Sequence, residues 1–350
     1  MAEQAWTVDL GLSAVVVSVR HGRVAVLTVP GLNAPVSGLS EPPQEPTLAL
    51  PFGPFDPGKH RTLDLAVRAW VDELSGLSLG YVEQLYTFGN RHRDPVRLER
   101  RRRLLTVGYL ALVGPDAPSQ TRAGIWRDWY DFLPWEDHRQ GRPAVLDEVL
   151  LPRLAAWCSQ REGDSKLSCE QRVAVAFGTG KSTWDPEKVL PRFELLYEAG
   201  LVSESQRDWH AYPETERDLL PITQHLMADP EFRSQDVRLG LPMEGDHRRI
   251  LASTMGRLRA KIRYRPVVFE LVGQVFTLLQ LQRVVEALSG VVLHKQNFRR
   301  LLLQGGLVKE AEGKDSSTTG RPAQLFRFRH SVQLERPATG IGLPQRPTKT

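Results

Sequence analysis

At 350 residues, with 41% hydrophobic and 25% charged side chains, the chain has the length of two domains, or of one domain with a long insertion, and the composition of a globular protein. A disordered, collagen-like or membrane-spanning chain is excluded, because no apolar run approaches the ~20 residues a spanning helix needs. The net charge of +5 conceals a split: residues 246–350 hold 19 Lys+Arg against 7 Asp+Glu, and the remainder 27 against 34, so the C-terminal part is expected to meet a polyanion.

The start, MAEQAWTVDLGLS, lacks the basic and apolar regions of a secretory signal, and a cytoplasmic location is expected. AVVVSVRHGRVAVLTV, residues 14–29, is two β-branched runs around a His-Gly turn, a hairpin signal. A Pro/Gly-rich loop over 30–45 follows. Leu63, Ala66, Val67, Trp70, Val71 and Leu74 then recur at helical spacing before Gly76, which predicts a helix over 62–74. Strand composition returns at 81–89 and 104–113, and the basic run 100–103 between them is expected to be a solvated loop.

From 114 to 245 tryptophans crowd the chain. Trp126, Trp129, Trp135 and Trp157 are expected to build a core rather than a ligand platform. Helices are predicted over 147–157 and behind Asp185-Pro186, the latter bent or shortened by Pro191 and stopped at Gly200. Trp135-Glu136-Asp137 suits either a pocket lining or an interdomain brace. Cys158 and Cys169 have no zinc-ligand spacing and are expected to be free buried thiols.

After Asp246, a candidate helix cap, Leu251, Met255, Leu258 and Ile262 form a helical stripe with Arg248, Arg257, Lys261 and Arg263 on other faces. Thr277 starts a second helix that ends at Ser289-Gly290. In LHKQNFRRLLLQGG, Phe298, Leu301 and Leu302 share one face and leave Lys295, Gln296, Arg299 and Arg300 to solvent. Two short strands around a polar loop over 314–322 complete a winged-helix order. Arg reads guanine and Gln or Asn reads adenine in the major groove. His294, Lys295, Gln296, Asn297, Arg299 and Arg300 are therefore candidate readers, with Lys314 and Arg321 on the wing as candidate phosphate contacts.

RLRAKIRYRPVVFELVGQVFTLLQLQRVVEALSG, LHKQNFRRLL and GRPAQLFRF resemble the winged-helix domain of the Nudix-related transcriptional regulators of NAD metabolism. The first hairpin, LPFGPFDPG, the helix ending in SGL and YVEQLYTFGNRHRD resemble the Nudix half of the same regulators, and the whole chain is similar to their bacterial subgroup that represses NAD-biosynthesis genes. The resemblance implies an α+β protein: a degenerate Nudix fold of mixed β-sheet with helices (1–113), a mainly helical insertion (114–245), a winged-helix domain (246–335) and a disordered tail (336–350). It also implies a DNA-binding repressor answering to ADP-ribose, NAD or ATP. A single recognition helix sees only a few base pairs, so a homodimer on a palindromic operator is expected.

A working Nudix motif aligns glutamates on one helix face to hold Mg²⁺ against a pyrophosphate. Here Gly53 keeps the first glycine, Lys59 replaces the first glutamate, Ala69-Trp70 replaces Arg-Glu, and Glu73-Leu74 replaces Glu-Glu. One carboxylate cannot build that site, so no catalytic or metal-binding residue and no required cofactor are expected. Arg20, Lys59, Tyr86, Phe88, Arg91 and Arg93 are of the type that would hold a nucleotide's base and phosphates. Two readings compete with the repressor: an active Nudix-type pyrophosphatase with an atypical metal site, and a nucleotide-binding adaptor whose winged helix contacts protein.

Overall fold

The computed structural model describes residues 6–31, 47–89, 102–222, 237–315, 322–329 and 331. Arg91, Arg93, Arg321 and the tail 336–350 lie outside the described residues, and Lys314 is described by its backbone. Among the described residues, no helix is long and apolar enough to cross a membrane.

Strands β1 (Thr7–Arg20) and β2 (Arg23–Pro30) are joined by His21-Gly22 at φ 49° and 75°, the pair of left-handed conformations that a tight two-residue hairpin demands. Short strands β3 (Leu48–Ala49) and β4 (Phe52–Pro54) lead to helix α1 (Leu63–Ser75). Thr62 caps α1 by accepting from the Leu65 N–H at 3.2 Å, and Gly76 ends it at φ 73°. After it come β5 (Tyr81–Phe88), β6 (Arg102–Leu112) and β7 (Ile125–Asp128). Arg102 and Arg103 thus open a strand instead of closing a loop, and Arg102 pairs with Asp9 at 2.7 Å.

The sheet runs β3-β2-β1-β6-β5, with β4 on β1 and β7 on β2; β1 and β6 are parallel and the other pairs antiparallel. The centre of β1 is buried on both faces, so both need cover. On one face Ala66, Val67 and Val71 of α1 pack against Leu12, Ala14, Val16 and Val107. On the other, Val15, Val17, Val26 and Leu110 open a larger core that continues through the insertion into the C-terminal segment.

After β7, 3-10 turns Trp129–Asp131 and Pro134–Glu136 precede a π-helical turn Leu146–Leu150 that runs into α2 (Leu151–Ser159). Helices α3 (Gly163–Phe177), α4 (Val189–Glu198) and α5 (Ser203–Ala211) follow. Trp129, Trp135 and Trp157 are fully buried, as a core-building role requires. The expectation of free thiols is overturned: Cys158 at the end of α2 and Cys169 in α3 form a disulfide with Cα atoms 5.6 Å apart. The tight turn between the two helices brings the residues together, and no spacing rule reveals it. Helix α4 also starts later than predicted. Asp185 accepts from the Glu187 N–H at 2.9 Å in a preceding turn, and Pro191 falls in the first helical turn, where its missing N–H costs nothing.

Helix α6 (His247–Ile262), a 3-10 turn Val267–Leu271, β8 (Phe276–Thr277), α7 (Leu278–Ser289), α8 (Lys295–Gln304), β9 (Val308–Asp315) and β10 (Ala323–Phe328) complete the chain. The three strands form an antiparallel sheet in the order β8-β10-β9, the winged-helix arrangement. Thr277 and Gln280 make a reciprocal capping box on α7.

The stripe on α6 is buried, and so are several of its cations. Arg248 pairs with Glu204 at 3.4 Å, Arg249 with Glu194 at 2.6 Å, Arg259 with Glu136 at 2.6 Å, Lys261 with Glu83, and Arg263 with Glu187 at 2.7 Å. Asp246 stands at the cap position but holds Arg249 with its carboxylate instead of a backbone N–H. The acidic front and basic back of the sequence thus neutralise each other in part inside the molecule. Among the described C-terminal residues, Lys295, Arg299, Arg300, Lys309 and Arg327 are exposed and outside these pairs.

Candidate nucleic-acid interface and sensing face

Helix α8 anchors itself through Phe298, 2% exposed, and Leu302, fully buried. That fixes its rotation about its own axis. His294 at the N-cap and Lys295, Gln296, Asn297, Arg299 and Arg300 are all exposed, and none has a side-chain partner among the described residues. A short helix with paired guanidiniums, an amine and two carboxamides on its outer face presents the donor and acceptor set that base edges and phosphates accept. On the wing, Lys314 pairs through its backbone with Gln324, while Arg327 lies directly opposite Lys309, both exposed. Two like charges in register weaken a ladder, so this pair joins the candidate phosphate contacts. Alternation of Phe326 and Phe328 with Arg327 was readable in sequence; the cross-strand neighbour was not.

The nucleotide candidates of the first half separate in space. Phe88 is 5% exposed and packs in the large core, because the last residue of β5 points under α6; it is a core residue, not a ligand contact. Tyr86 is 63% exposed and meets the Phe88 ring edge-on at 5.2 Å. Arg20 is committed to the structure: Nη2 donates to the carbonyls of Ala117 at 2.6 Å and Pro118 at 3.0 Å, and the guanidinium lies 4.5 Å over Trp126. In strand register Leu12 and Thr87 both stand beside Val107, so Arg20 lies about 25 Å along the sheet from Tyr86. Lys59 is exposed and 3.6 Å from Asp56. A hydrogen bond from the Gly58 N–H, with Lys59 beside it, holds the Asp56 carboxyl below its ordinary value.

Around α1, Trp70 lies on Gly53 so closely that a Cβ there would come within 2.2 Å of the indole. The indole N–H donates to the Pro54 carbonyl at 3.0 Å. Asp64 is taken by Arg68 at 2.8 Å, and Asp72 and Glu73 are exposed. A cleft of about 280 Å³ opens past the end of α1, lined by Gly76, Ser78, Gly80, Gly114, Asp116 and Glu270 among others. Its charged groups are acidic, the wrong sign for a pyrophosphate, and none of the candidate ligand residues lines it.

A profile of the NrtR DNA-binding winged helix domain matches residues 268–328. The ADPR responsive transcriptional repressor NtrR of Acinetobacter baylyi is 36% identical over 99 residues, 28% of this chain and 39% of that protein; the chain therefore matches well under half the length of this relative. Among solved structures, Shewanella oneidensis NrtR superimposes with a TM-score of 0.50 at 19% identity over 92% of this chain and 95% of that one. The NUDIX domain of the same Shewanella protein, solved in complex with ADP ribose, is 26% identical over 38% of this chain and 79% of that one, with a TM-score of 0.29. Residues 268–328 match a winged-helix domain of the NrtR DNA-binding type, and the chain as a whole has an α+β fold like that of Shewanella oneidensis NrtR.

Proposed function

We propose that the chain is a ligand-responsive, DNA-binding repressor of NAD-biosynthesis genes, with a sensor that does no chemistry. The observation that carries this is α8: a recognition helix seated by Phe298 and Leu302 that leaves His294, Lys295, Gln296, Asn297, Arg299 and Arg300 unpartnered among the described residues, within the segment that matches a DNA-binding domain. One such helix spans only a few base pairs, so a homodimer on a palindromic operator is the arrangement that yields specificity. Residues 1–245 would form the sensor with its insertion, and α6 onward the reader.

ADP-ribose is the first effector to test, because the Acinetobacter relative is described as ADPR responsive; NAD and ATP share its adenylate and phosphates. An effector that favours one arrangement of sensor and reader shifts the DNA-competent fraction by its differential affinity. The Mg²⁺ of working Nudix hydrolases does not fit the residues here. Lys59 stands at the first glutamate position, Trp70 occupies the second against Gly53, and Glu73 is the one motif carboxylate kept.

The test is binding of the purified chain to its own promoter region and to NAD-biosynthesis promoters, at physiological salt with competitor DNA, repeated with ADP-ribose, NAD and ATP. Specific binding that one nucleotide changes is expected. Binding that competitor DNA abolishes overturns the repressor reading, and turnover of ADP-ribose or NAD with Mg²⁺ at an ordinary enzymatic rate overturns the non-catalytic one.

A further inference from the structure

The C-terminal end of α7 is the support from which the recognition helix α8 is hung, and it is held by the insertion. Helix α7 ends at Ser289 with Gly290 at φ 71°, and α8 starts at Lys295. The last carbonyls of a helix have no donors of their own. Here the Tyr130 hydroxyl donates to the Ala287 carbonyl at 2.7 Å, Arg259 Nε donates to the Leu288 carbonyl at 3.1 Å, and the His138 N–H donates to the Gly290 carbonyl at 2.8 Å. Two of the three donors come from the 129–138 segment of the insertion and the third from α6.

Of these donors Arg259 is itself held by a fully buried carboxylate, and its Nη2 donates to the Tyr130 hydroxyl at 3.3 Å. Glu136 accepts from Arg192 of α4 at 2.6 and 2.8 Å and from Arg259 at 2.6 Å, while its backbone carbonyl accepts from Arg259 at 3.0 Å. Burial disfavours the Glu136 charge, yet the two guanidiniums outweigh it and hold the carboxyl below its usual value. The fit leaves no space: a Cβ on Gly290 would come within 2.5 Å of the Glu136 carbonyl and 2.8 Å of the Arg259 guanidinium. On the other side Glu286 accepts from the Leu293 N–H at 2.8 Å, and the Gln282 amide donates to the Leu293 carbonyl at 3.1 Å, which braces the α7–α8 turn from within.

Buried ion clusters of this kind add little net stability compared with apolar packing of the same volume. What they supply is direction, since a hydrogen bond fixes an angle and a position where an apolar contact slides. We infer that Tyr130, Glu136 and Arg259 are positioning residues for DNA recognition: the insertion is a seat that sets the orientation of the α7–α8 turn, and so of α8, relative to the sensor. This rests on the reading that α8 meets DNA, but the seat itself can be tested without DNA.

In the full-length protein, Tyr130→Phe deletes one donor and keeps the buried ring. Arg259→Lys keeps the charge beside Glu136 and loses the fork. Glu136→Gln risks the fold as a whole and is not needed. Loss of one such bond is worth about tenfold in an equilibrium, so amide hydrogen exchange over 291–304 should rise about tenfold in Tyr130→Phe and by at least as much in Arg259→Lys, which loses more than one bond, while exchange in β1 and β6 is unchanged. The ratio of specific to nonspecific DNA affinity should fall by a similar factor, a change that an ordinary loss of stability does not produce. Wild-type exchange over 291–304 in both variants overturns the seat, and raised exchange with an unchanged affinity ratio overturns its positioning role. If the wild-type protein binds no DNA specifically, the functional reading fails first, and the exchange measurement still decides the seat.

Discussion

At the scale of single residues, Trp70 packs directly on Gly53. An indole cannot hold a divalent cation, but it can fill the space over a glycine and bond the Pro54 carbonyl, and it does both. Gly53→Ala should therefore destabilise the protein by about 1–3 kcal/mol through overpacking, read as a lowered urea midpoint with an unchanged slope. His138 gives a second test. Burial pushes its imidazole from the ordinary 6.5 down to about 4, against the opposing pull of Glu136. A histidine lowered in the folded state binds its proton more readily when unfolded, so its contribution is intact above pH 6.5 and is lost as pH falls towards 4. Urea unfolding across that window should show a shallower pH dependence, by about one proton, in His138→Gln. Neither consequence could be read from sequence: Gly53 was recognisable as a motif glycine, but what lies on it is 17 positions away in the chain.

At the scale of elements, caps and periodicity were legible because they are local. Gly76 ends α1, Thr277 and Gly290 bound α7, and the Phe298–Leu302 stripe orients α8. Two elements departed from expectation. Helix α4 starts at Val189 because the turn at Asp185 and the ring of Pro191 agree on that start. The α2–α3 pair carries a disulfide because its turn places Cys158 beside Cys169. For α8 the stripe and its outer face should separate experimentally. Arg299→Ala with Arg300→Ala should abolish operator binding while leaving the thermal midpoint within about a degree or two, since exposed substitutions cost little. Phe298→Ala should cost about 3–5 kcal/mol of stability. Gel-shift and thermal denaturation run on the same samples decide it, and retained operator binding in the double variant would refute α8 as the reader.

At the scale of the whole molecule, the charge split has two parts that only the fold distinguishes. Arg248, Arg249, Arg259, Lys261 and Arg263 are spent on acids from the first 245 residues, whereas Lys295, Arg299 and Arg300 of α8 and Lys309 and Arg327 of the wing have no such partners among the described residues. DNA affinity measured against salt should separate the two groups. Each phosphate contact contributes about 0.9 to the slope of log affinity on log salt. Arg300→Ala should lower that slope by about one contact, and Arg263→Ala, on the paired helix, should leave it unchanged. An equal effect from both would mean that the internal pairing does not hold in solution.

The sequence by itself determined most of the helices and strands, the winged-helix order and the asymmetry of charge, since these rest on residue identity and on periods of two or 3.6. Only the tertiary structure decided that Phe88 faces the core, that Arg20 is bound to carbonyls, that the cysteines are joined, and that Glu136 meets Arg259 across 123 positions. The physical reason is range. Propensities and caps act over one turn of chain, whereas a buried charge, a thiol or a ring takes its role from whichever groups the fold brings within a few ångströms, and chain distance says nothing about which those are.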